Sequence, residues 1–238
     1  MRSKKSVLTL IFIVFLSAAF AQQDPQFSQI MFNQMSINPG FAGSSEMINV
    51  NAINRIQWVG FDGAPTTTAL SINSPISPFG FKSGIGMNIL SDNPGFNKDL
   101  GLSLSYAARF KAGKGMLGVG LSGGFINNTI DPKWNYPDVS GDDAIPQEKE
   151  SSMNFDMGFG MFYNTENMYF GVSGVHLSGT KMNSAKKTAY YTRQFYLTGG
   201  YTLNLPNPSW QFNPSAYVLT DLFLSQISLS ANLKYNKK

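Results

Sequence analysis

The chain has 238 residues, a formal net charge of +4 and no cysteine, which excludes a disulfide framework, a thiolate metal site and a thiol nucleophile. Charged residues make up 13% of the chain, about half of the roughly 25% usual in soluble domains. No basic cluster is interleaved with aromatic residues, so nucleic acid is not an expected partner.

The N-terminus has the pattern of a secretory signal peptide, predicted for residues 1–21. A basic start at Arg2–Lys5 is followed by the apolar run Val7–Phe15 and by the small-x-small site Ala19–Ala21. The apolar run is too short for a membrane-spanning helix. Cleavage before Gln22 removes three of the 18 basic residues, which leaves 15 against 14 acids and a net charge of +1. The mature protein is therefore predicted to be exported.

Residues 22–47 are predicted to form a separate N-terminal segment. Its sequence Asn38-Pro39-Gly40-Phe41-Ala42-Gly43 does not suit a regular helix or strand, because proline lacks a backbone donor and glycine permits unusual φ angles. One interpretation is a plug or a periplasmic docking segment, with Asn38, Pro39 and Gly40 as candidate contact residues. The other, favoured by the usual role of glycine and proline, is a tight turn that starts the first strand.

Strict alternation of apolar and polar residues dominates residues 48–238. It is clearest in Leu100–Phe110, Met153–Tyr163 and Ile227–Tyr235, and a period of two indicates β-strands. Weaker alternation predicts seven further strands, giving ten in all. The weaker runs are Ile48–Trp58, Thr66–Asn73, Ser83–Leu90, Met116–Phe125, Met168–Leu177, Arg193–Leu203 and Trp210–Leu219.

These strands favour a transmembrane antiparallel outer-membrane β-barrel, an all-β fold. Each run is close to the 9 to 11 residues with which a tilted strand crosses a bilayer. Long links at Ile126–Ser152 and Ser178–Thr192 alternate with tight links, as expected for the outer and periplasmic ends of such a barrel. The alternative is a soluble β-sandwich, against which the low charge content argues.

Five candidate residues lie around the first predicted strand and the link that follows it. Arg55 shares the inward parity with Gln57 and is expected to pair with an inward acid such as Asp156, most simply as a structural salt bridge. Trp58 is interpreted as an interfacial anchor. Gly63 and Pro65 lie in a predicted turn, Asp62-Gly63-Ala64-Pro65.

No catalytic, metal or cofactor site is predicted. His176 is the single histidine, and no nucleophile-elbow pattern surrounds the nearby Ser173 or Ser178. The loop acids Asp138, Asp142 and Asp143 lack the spacing of a calcium-binding loop.

Several motifs resemble the PorP/SprF family of Bacteroidetes. The most specific are Gln23-Asp24-Pro25-Gln26-Phe27-Ser28-Gln29, the Asn38–Gly43 motif with the following Ser44, and Asn54–Thr67, which contains Arg55-Ile56-Gln57-Trp58 and Gly63-Ala64-Pro65. Family members usually continue beyond the equivalent of Lys238. The chain is therefore either a fragment or a short member whose ten strands close.

The resemblance implies a non-enzymatic outer-membrane accessory of the type IX secretion system. Such proteins contact outer-membrane lipid and either secretion components or a large secreted adhesin that serves gliding or surface display. Two alternatives remain open. A polar interior is also compatible with a passive pore, and His176 leaves room for a lipid-hydrolysing barrel enzyme, the less favoured of the two.

Overall fold

The computed structural model describes residues 32–61, 63–95, 97–131, 149–179, 181–184 and 187–236. Several sequence predictions concern residues outside these ranges. They are the signal peptide with its cleavage before Gln22, the motif Gln23–Gln29, Asp62, and the acids Asp138, Asp142 and Asp143.

Two short helical turns precede a series of strands. Helix α1 spans Gln34–Ile37, and 3-10 turns span Pro39–Phe41 and Pro78–Gly80. The strands are β1 (Asn49–Ile56), β2 (Thr66–Ile76), β3 (Ser83–Asn93), β4 (Asn97–Ala112), β5 (Gly115–Ile130), β6 (Glu150–Asn164), β7 (Met168–Val175), β8 (Lys181–Ser184), β9 (Lys187–Tyr190), β10 (Gln194–Tyr201), β11 (Leu203–Asn204), β12 (Trp210–Thr220) and β13 (Ser225–Tyr235).

The described strands form one antiparallel sheet of eleven strands, with β8 and β9 as a separate hairpin. Strands β1 to β7 pair in chain order, followed by β10, β12 and β13. β10 and β11 pair with β12 in one register and are interrupted at Thr202, so the eleven strands follow ten paths. Each path overlaps one predicted strand. The all-β antiparallel fold class is confirmed.

The two faces of the sheet differ sharply in composition. On the outer face, apolar side chains are exposed, as with Leu104 (60%), Leu121 (65%) and Met153 (69%). On the inner face, Ser71, Ala107 and similar small or polar residues are buried. The alternation therefore places large apolar groups outside and small or polar groups inside, opposite to the arrangement in a soluble sandwich.

The connections divide the sheet into two ends. At the tight-turn end, residues 113–114 join β4 to β5 and residues 165–167 join β6 to β7. At the long-loop end, residues 131–149 join β5 to β6, and the link from β7 to β10 contains the β8–β9 hairpin. The short link from β12 to β13 also lies at this end. There the Asp221 carboxylate accepts the Phe223 and Leu224 backbone N–H groups, which lowers its pKa.

Strands β1 and β13 are the two edges of the sheet. Within the described ranges, no ladder joins β1 to β13, so the sheet is open along this seam. In the same ranges, none of the helices has the length and apolar character needed to cross a membrane.

Candidate functional site

A short N-terminal segment, Phe32–Ser44, lies against the inner face of the sheet and is called the plug segment here. Five side chains of the sheet each donate a hydrogen bond to a backbone carbonyl group of this segment. These bonds run from Asn51 to Phe32, Asn88 to Met35, Ser173 to Ile37, Arg109 to Ala42 and Asn164 to Ser44.

The origin of these donors defines the shape of the sheet. They belong to β1, β3, β7, β4 and β6, and all reach a segment of only thirteen residues, 32–44. The sheet must therefore curl around the segment, which occupies the space on its concave side, called the lumen here. Because buried carbonyl groups need hydrogen-bond partners, the polar inner face supplies what an irregular segment lacks.

Asn38 is the most completely bound side chain of the plug segment, with 1% of its surface exposed. Its Nδ2 donates to the carbonyl oxygens of Met161 (3.0 Å) and Val172 (3.5 Å), and its Oδ1 accepts the Gly40 N–H (2.9 Å). The side chain therefore closes the local turn and also bridges β6 and β7. Serine or threonine cannot do both, since neither combines an NH₂ group with a separate acceptor.

A row of small residues crosses the inner face at the level of the plug segment. Strand register places Gly84, Ala107, Gly120, Gly160 and Ser173 side by side on β3 to β7. A Cβ atom added to Gly120 would lie 2.4 Å from the Pro39 carbonyl oxygen, and one added to Gly160 would lie 2.1 Å from Asn38 Oδ1. The row lets the plug backbone approach the sheet backbone closely.

The plug segment contributes the matching glycines. A Cβ atom on Gly40 would lie 2.8 Å from the Gly160 carbonyl oxygen, so glycine is needed there for space. Gly43 has a φ of +65° and lies against Gly84, so glycine is needed there for conformation as well. The two glycines of the motif thus serve different requirements.

Arg109 joins the end of the plug segment to two strands. The side chain is buried (7% exposed). Its Nη2 donates to Asn164 Oδ1 at 2.6 Å, and its Nη1 donates to the Ala42 carbonyl oxygen at 3.5 Å. The guanidinium is thus held by amide and backbone oxygens, as a buried cation requires.

Apolar contacts pack against two sides of the plug segment. Ile37 packs with Tyr196, Tyr217 and Leu219 of β10 and β12. On the other side, the rings of Phe41 and Phe162 meet edge to face, with centroids 5.0 Å apart. The hydrophobic core of the described chain therefore lies inside the sheet and is built around the plug segment.

A cavity of about 150 Å³ separates the plug segment from the long-loop end. Asn33, Met35 and Ile37 form its floor, and inner-face residues form its walls. His176 lines it and has a φ of +56°, and its Nδ1 lies 2.9 Å from Asp156 Oδ2. Ser178 Oγ donates to the other oxygen of the same carboxylate, at 3.1 Å.

The predicted site residues fall into two groups. Asn38, Pro39 and Gly40 lie in the plug segment, against the half of β5 to β7 nearest the tight-turn end. The other five lie at the long-loop end of β1 and in the link to β2: Arg55, Gln57, Trp58, Gly63 and Pro65.

The second group forms a turn at the edge of the sheet. Arg55 is half-buried on the inward parity, and Trp58 is exposed (72%) with a φ of +51°. The Gln57 N–H donates to the Pro65 carbonyl oxygen at 3.0 Å, and Gly63 has a φ of +76°. Asp156, proposed from the sequence as a partner of Arg55, is engaged by His176 and Ser178. The pairing of Arg55 with an inward acid stays a prediction.

The sequence reasoning did not identify the residues that receive the plug segment. These are the row of small residues on β3 to β7, which includes Ser173, together with Arg109 and Asn164. A signal was present, since β5 and β6 carry glycine on the inward parity at Gly118, Gly120, Gly158 and Gly160. Strand register was needed to show that two of them, Gly120 and Gly160, lie side by side against the plug segment.

A search among curated proteins finds no match to this chain. A family model described as "Type IX secretion system membrane protein PorP/SprF" matches residues 19–238. The match includes the plug segment and every strand of the sheet, and thus nearly the whole chain. The chain belongs to the PorP/SprF family of type IX secretion system membrane proteins.

Proposed function

We propose that this protein is an outer-membrane accessory of type IX secretion that supports the secretion or surface attachment of a partner adhesin. Membership of the family supports a place in this secretion system. The exposed apolar outer face supports contact with lipid, because aliphatic groups such as Leu104 and Leu121 are stable there only when covered.

The observation that carries the proposal is the filled lumen. The plug segment touches strands from β1 to β12, and its backbone carbonyls are bound by the inner face. A plug segment bound in this way holds the strands in fixed positions, and so also fixes the places from which the connecting links extend at the two ends of the sheet. Recognition of the partner then belongs to the ends, through the two long links or through the N-terminal segment. The links were predicted at Ile126–Ser152 and Ser178–Thr192, and the strands leave them at residues 131–149 and 176–193.

Deletion and complementation test this role. Loss of the gene is expected to remove one large adhesin from the cell surface, as measured with antibody on intact cells, while other secreted proteins remain. A complementing variant with the 178–192 link shortened is expected to fold, as shown by heat-modifiable migration in gels, and to fail in display. Normal display of every adhesin in the deletion strain would contradict the proposal.

The passive pore is the weaker alternative, because the plug segment occupies the path that solute would take. Purified protein in planar bilayers is expected to show no steady conductance. A variant lacking residues 32–44 is the matched comparison, since it retains all the strands. Steady conductance of the intact protein would favour the pore over the accessory role.

The protein is also proposed not to be an enzyme. His176→Ala removes the single imidazole and is expected to leave adhesin display unchanged in the complemented strain. Loss of lipid hydrolysis in this variant would favour the enzyme.

A further inference from the structure

The turn between β12 and β13 holds two large apolar side chains outside the sheet. Leu222 and Phe223 are 75% and 91% exposed. Leu222 has a φ of +75°, in a region that a bulky residue adopts only when its surroundings enforce it. The turn therefore presents these side chains instead of covering them.

Hydrogen bonds within the turn enforce this conformation. The Asp221 carboxylate accepts the Phe223 and Leu224 N–H groups, at 2.9 and 2.6 Å. The Thr220 hydroxyl accepts the Leu222 N–H at 3.0 Å and donates to the Leu224 carbonyl oxygen at 2.9 Å. Because three successive N–H groups are bound in this way, the turn is preorganised, and little conformational freedom is lost when its apolar side chains are covered.

The turn leads into the edge strand β13, and the backbone hydrogen bonds show which residues of β13 face the open side. The Asp221 N–H donates to the Leu224 carbonyl oxygen (3.2 Å), and the Asn236 N–H donates to the Ser209 carbonyl oxygen (2.7 Å). Since successive residues of a strand direct their backbone groups to opposite sides, the even-numbered residues of β13 face β12. The odd-numbered residues direct their N–H and carbonyl groups to the open side: Ile227, Leu229, Ala231 and Leu233.

The β13 edge has the chemistry of a strand that receives another strand. The odd-numbered residues carry their apolar side chains on the outer face, and Ser228 and Ser230 alternate with them on the inner face. The ladder to β12 is unbroken from Ser225 to Tyr235, so β13 has neither the bulge nor the proline that often protects an edge. In hydrocarbon, backbone groups without partners are costly. An added strand satisfies them.

The other edge strand, β1, is less suited to this role. On its inner face, Asn51 donates to the Phe32 carbonyl of the plug segment. On its outer face it carries the polar Asn54, which bonds Thr68. It also has eight residues, against eleven in β13. The longer and more apolar edge is the one that continues from the exposed turn.

We propose that β13 and its turn bind an extended segment of the secretion partner, which adds to the sheet as an antiparallel strand. Apolar residues of this segment lie beside Leu229 on the outer face, and small polar residues alternate with them. Because β13 begins at the long-loop end, an antiparallel strand ends there, and an apolar residue at its C-terminal end packs on Leu222 and Phe223. The inference rests on the proposed function for the identity of the partner. The binding chemistry follows from the edge and the turn.

A photoreactive peptide tests this site on the full chain folded in detergent. The peptide has eleven residues, alternates valine with serine, and ends in benzoylphenylalanine. After illumination, mass spectrometry is expected to locate the crosslink at residues 222–224. With benzoylphenylalanine at the N-terminus instead, the crosslink is expected near Tyr235. Labelling spread over the apolar outer face in both cases would overturn the proposal.

Two methylated peptides test the backbone pairing. In the proposed register the valines lie opposite Leu229 and its odd-numbered neighbours, so their N–H groups face β13. N-methylation of the valines is therefore expected to abolish labelling. N-methylation of the serines is the matched control, because their N–H groups face away from β13 and labelling is expected to persist. Equal labelling by the two peptides would contradict strand addition.

Variants separate the edge from the turn. Ala231→Pro removes an N–H on the open side and leaves the ladder to β12, and Phe223→Ser removes the exposed ring. Each is expected to lower labelling roughly tenfold at peptide concentrations below saturation. Ala52→Pro is the matched control on β1, where the Gln57 N–H donates to the Pro65 carbonyl oxygen, so that Ala52 faces the open side. With all variants shown to be folded by heat-modifiability, unchanged labelling in both β13 variants, or an equal loss at Ala52, would overturn the assignment.

Direct pairing of β1 with β13 is the competing way to cover the edge. The chain has no cysteine, so Ala231→Cys can be combined in turn with Val50→Cys, Ala52→Cys and Asn54→Cys. In lipid vesicles, no pair is expected to form a disulfide in high yield. Complete disulfide formation in one pair would show that the sheet closes on itself and would overturn the proposal.

Adhesin display in the deletion strain is measured separately from peptide binding. Peptide labelling together with normal display would refute the proposed function and leave the binding edge standing. Lost display without peptide labelling would overturn the binding edge and leave the proposed function standing.

Discussion

Asn38 holds the plug segment through one amide that serves both as a cap and as a bridge. Asn38→Ala leaves the Gly40 N–H without its acceptor and the Met161 carbonyl without this donor, in a site from which water is excluded. The expected loss is about 2–3 kcal/mol in the free energy of unfolding. Urea titration of the protein folded in detergent measures it.

Two further variants separate the roles of this amide. Asn38→Asp keeps an acceptor for Gly40 and loses the donors to β6 and β7, so its loss is expected to remain large. Asn54→Ala is the matched control, since Asn54 is exposed and bonds only Thr68 among its described contacts. The expected change there is within about 0.5 kcal/mol. Equal effects at Asn38 and Asn54 would contradict the bridging role.

Gly120 tests the close approach of plug and sheet. Gly120→Ala places a Cβ atom 2.4 Å from the Pro39 carbonyl oxygen, so the plug segment has to shift, at an expected cost of about 1–3 kcal/mol. Gly123→Ala is the control on the same strand, because its Cβ atom meets only Phe155, at 3.7 Å. The unfolding free energies of the two variants are compared. A loss at Gly123 as large as that at Gly120 would point to strand conformation instead of plug contact.

At the scale of the element, the plug segment is expected to stay bound to the inner face of the sheet for most of the time. The chain has no cysteine, so single thiols report accessibility without background. Met35→Cys places a thiol where 2% of the side chain is exposed, and Met47→Cys places one where 71% is exposed. Maleimide labelling of Met35→Cys is expected to be more than about tenfold slower than labelling of Met47→Cys, because the segment must open locally before the buried thiol can react. Similar rates would show that the segment leaves the lumen readily.

The strands were the predictable elements, because alternation is a local signal. Each of the ten predicted strands overlaps an observed path, and the long 178–192 link was recognised although it contains the short hairpin β8–β9. The interruption at Thr202 was not predicted. Its N–H leaves the ladder and donates to the Asn167 carbonyl at 2.7 Å, a contact outside the strand itself.

The position of the plug segment on the inner face was not predictable from the sequence, because its contacts join distant parts of the chain. Asn38 and Met161 are 123 residues apart, and Ile37 and Ser173 are 136 apart. The sequence identified Asn38, Pro39 and Gly40 as unusual and left two interpretations of the motif open. Deciding where such a motif lies requires the register of five strands, which no local pattern encodes.

For the whole molecule, the outer face determines how the protein meets its surroundings. Apolar side chains cover neighbouring strands in register, so that Leu102 pairs with Phe125, and Phe125 with Phe155. The rings of Phe125 and Phe155 meet with centroids 5.7 Å apart. Such a continuous surface is larger than soluble monomers usually expose, and it agrees with the membrane location that the family implies.

Leu121→Arg tests this surface. Leu121 is exposed (65%) near the middle of β5, where hydrocarbon would surround it. Arginine there is expected to cost about 2–4 kcal/mol in the free energy of unfolding from lipid vesicles, against about 0–1 kcal/mol near the interface. Val59→Arg is the control, because Val59 is exposed (78%) in the link from β1 to β2. In water, both substitutions would be nearly neutral, since an exposed arginine is well solvated. A small effect at Leu121 equal to that at Val59 would therefore mean that no lipid covers this face.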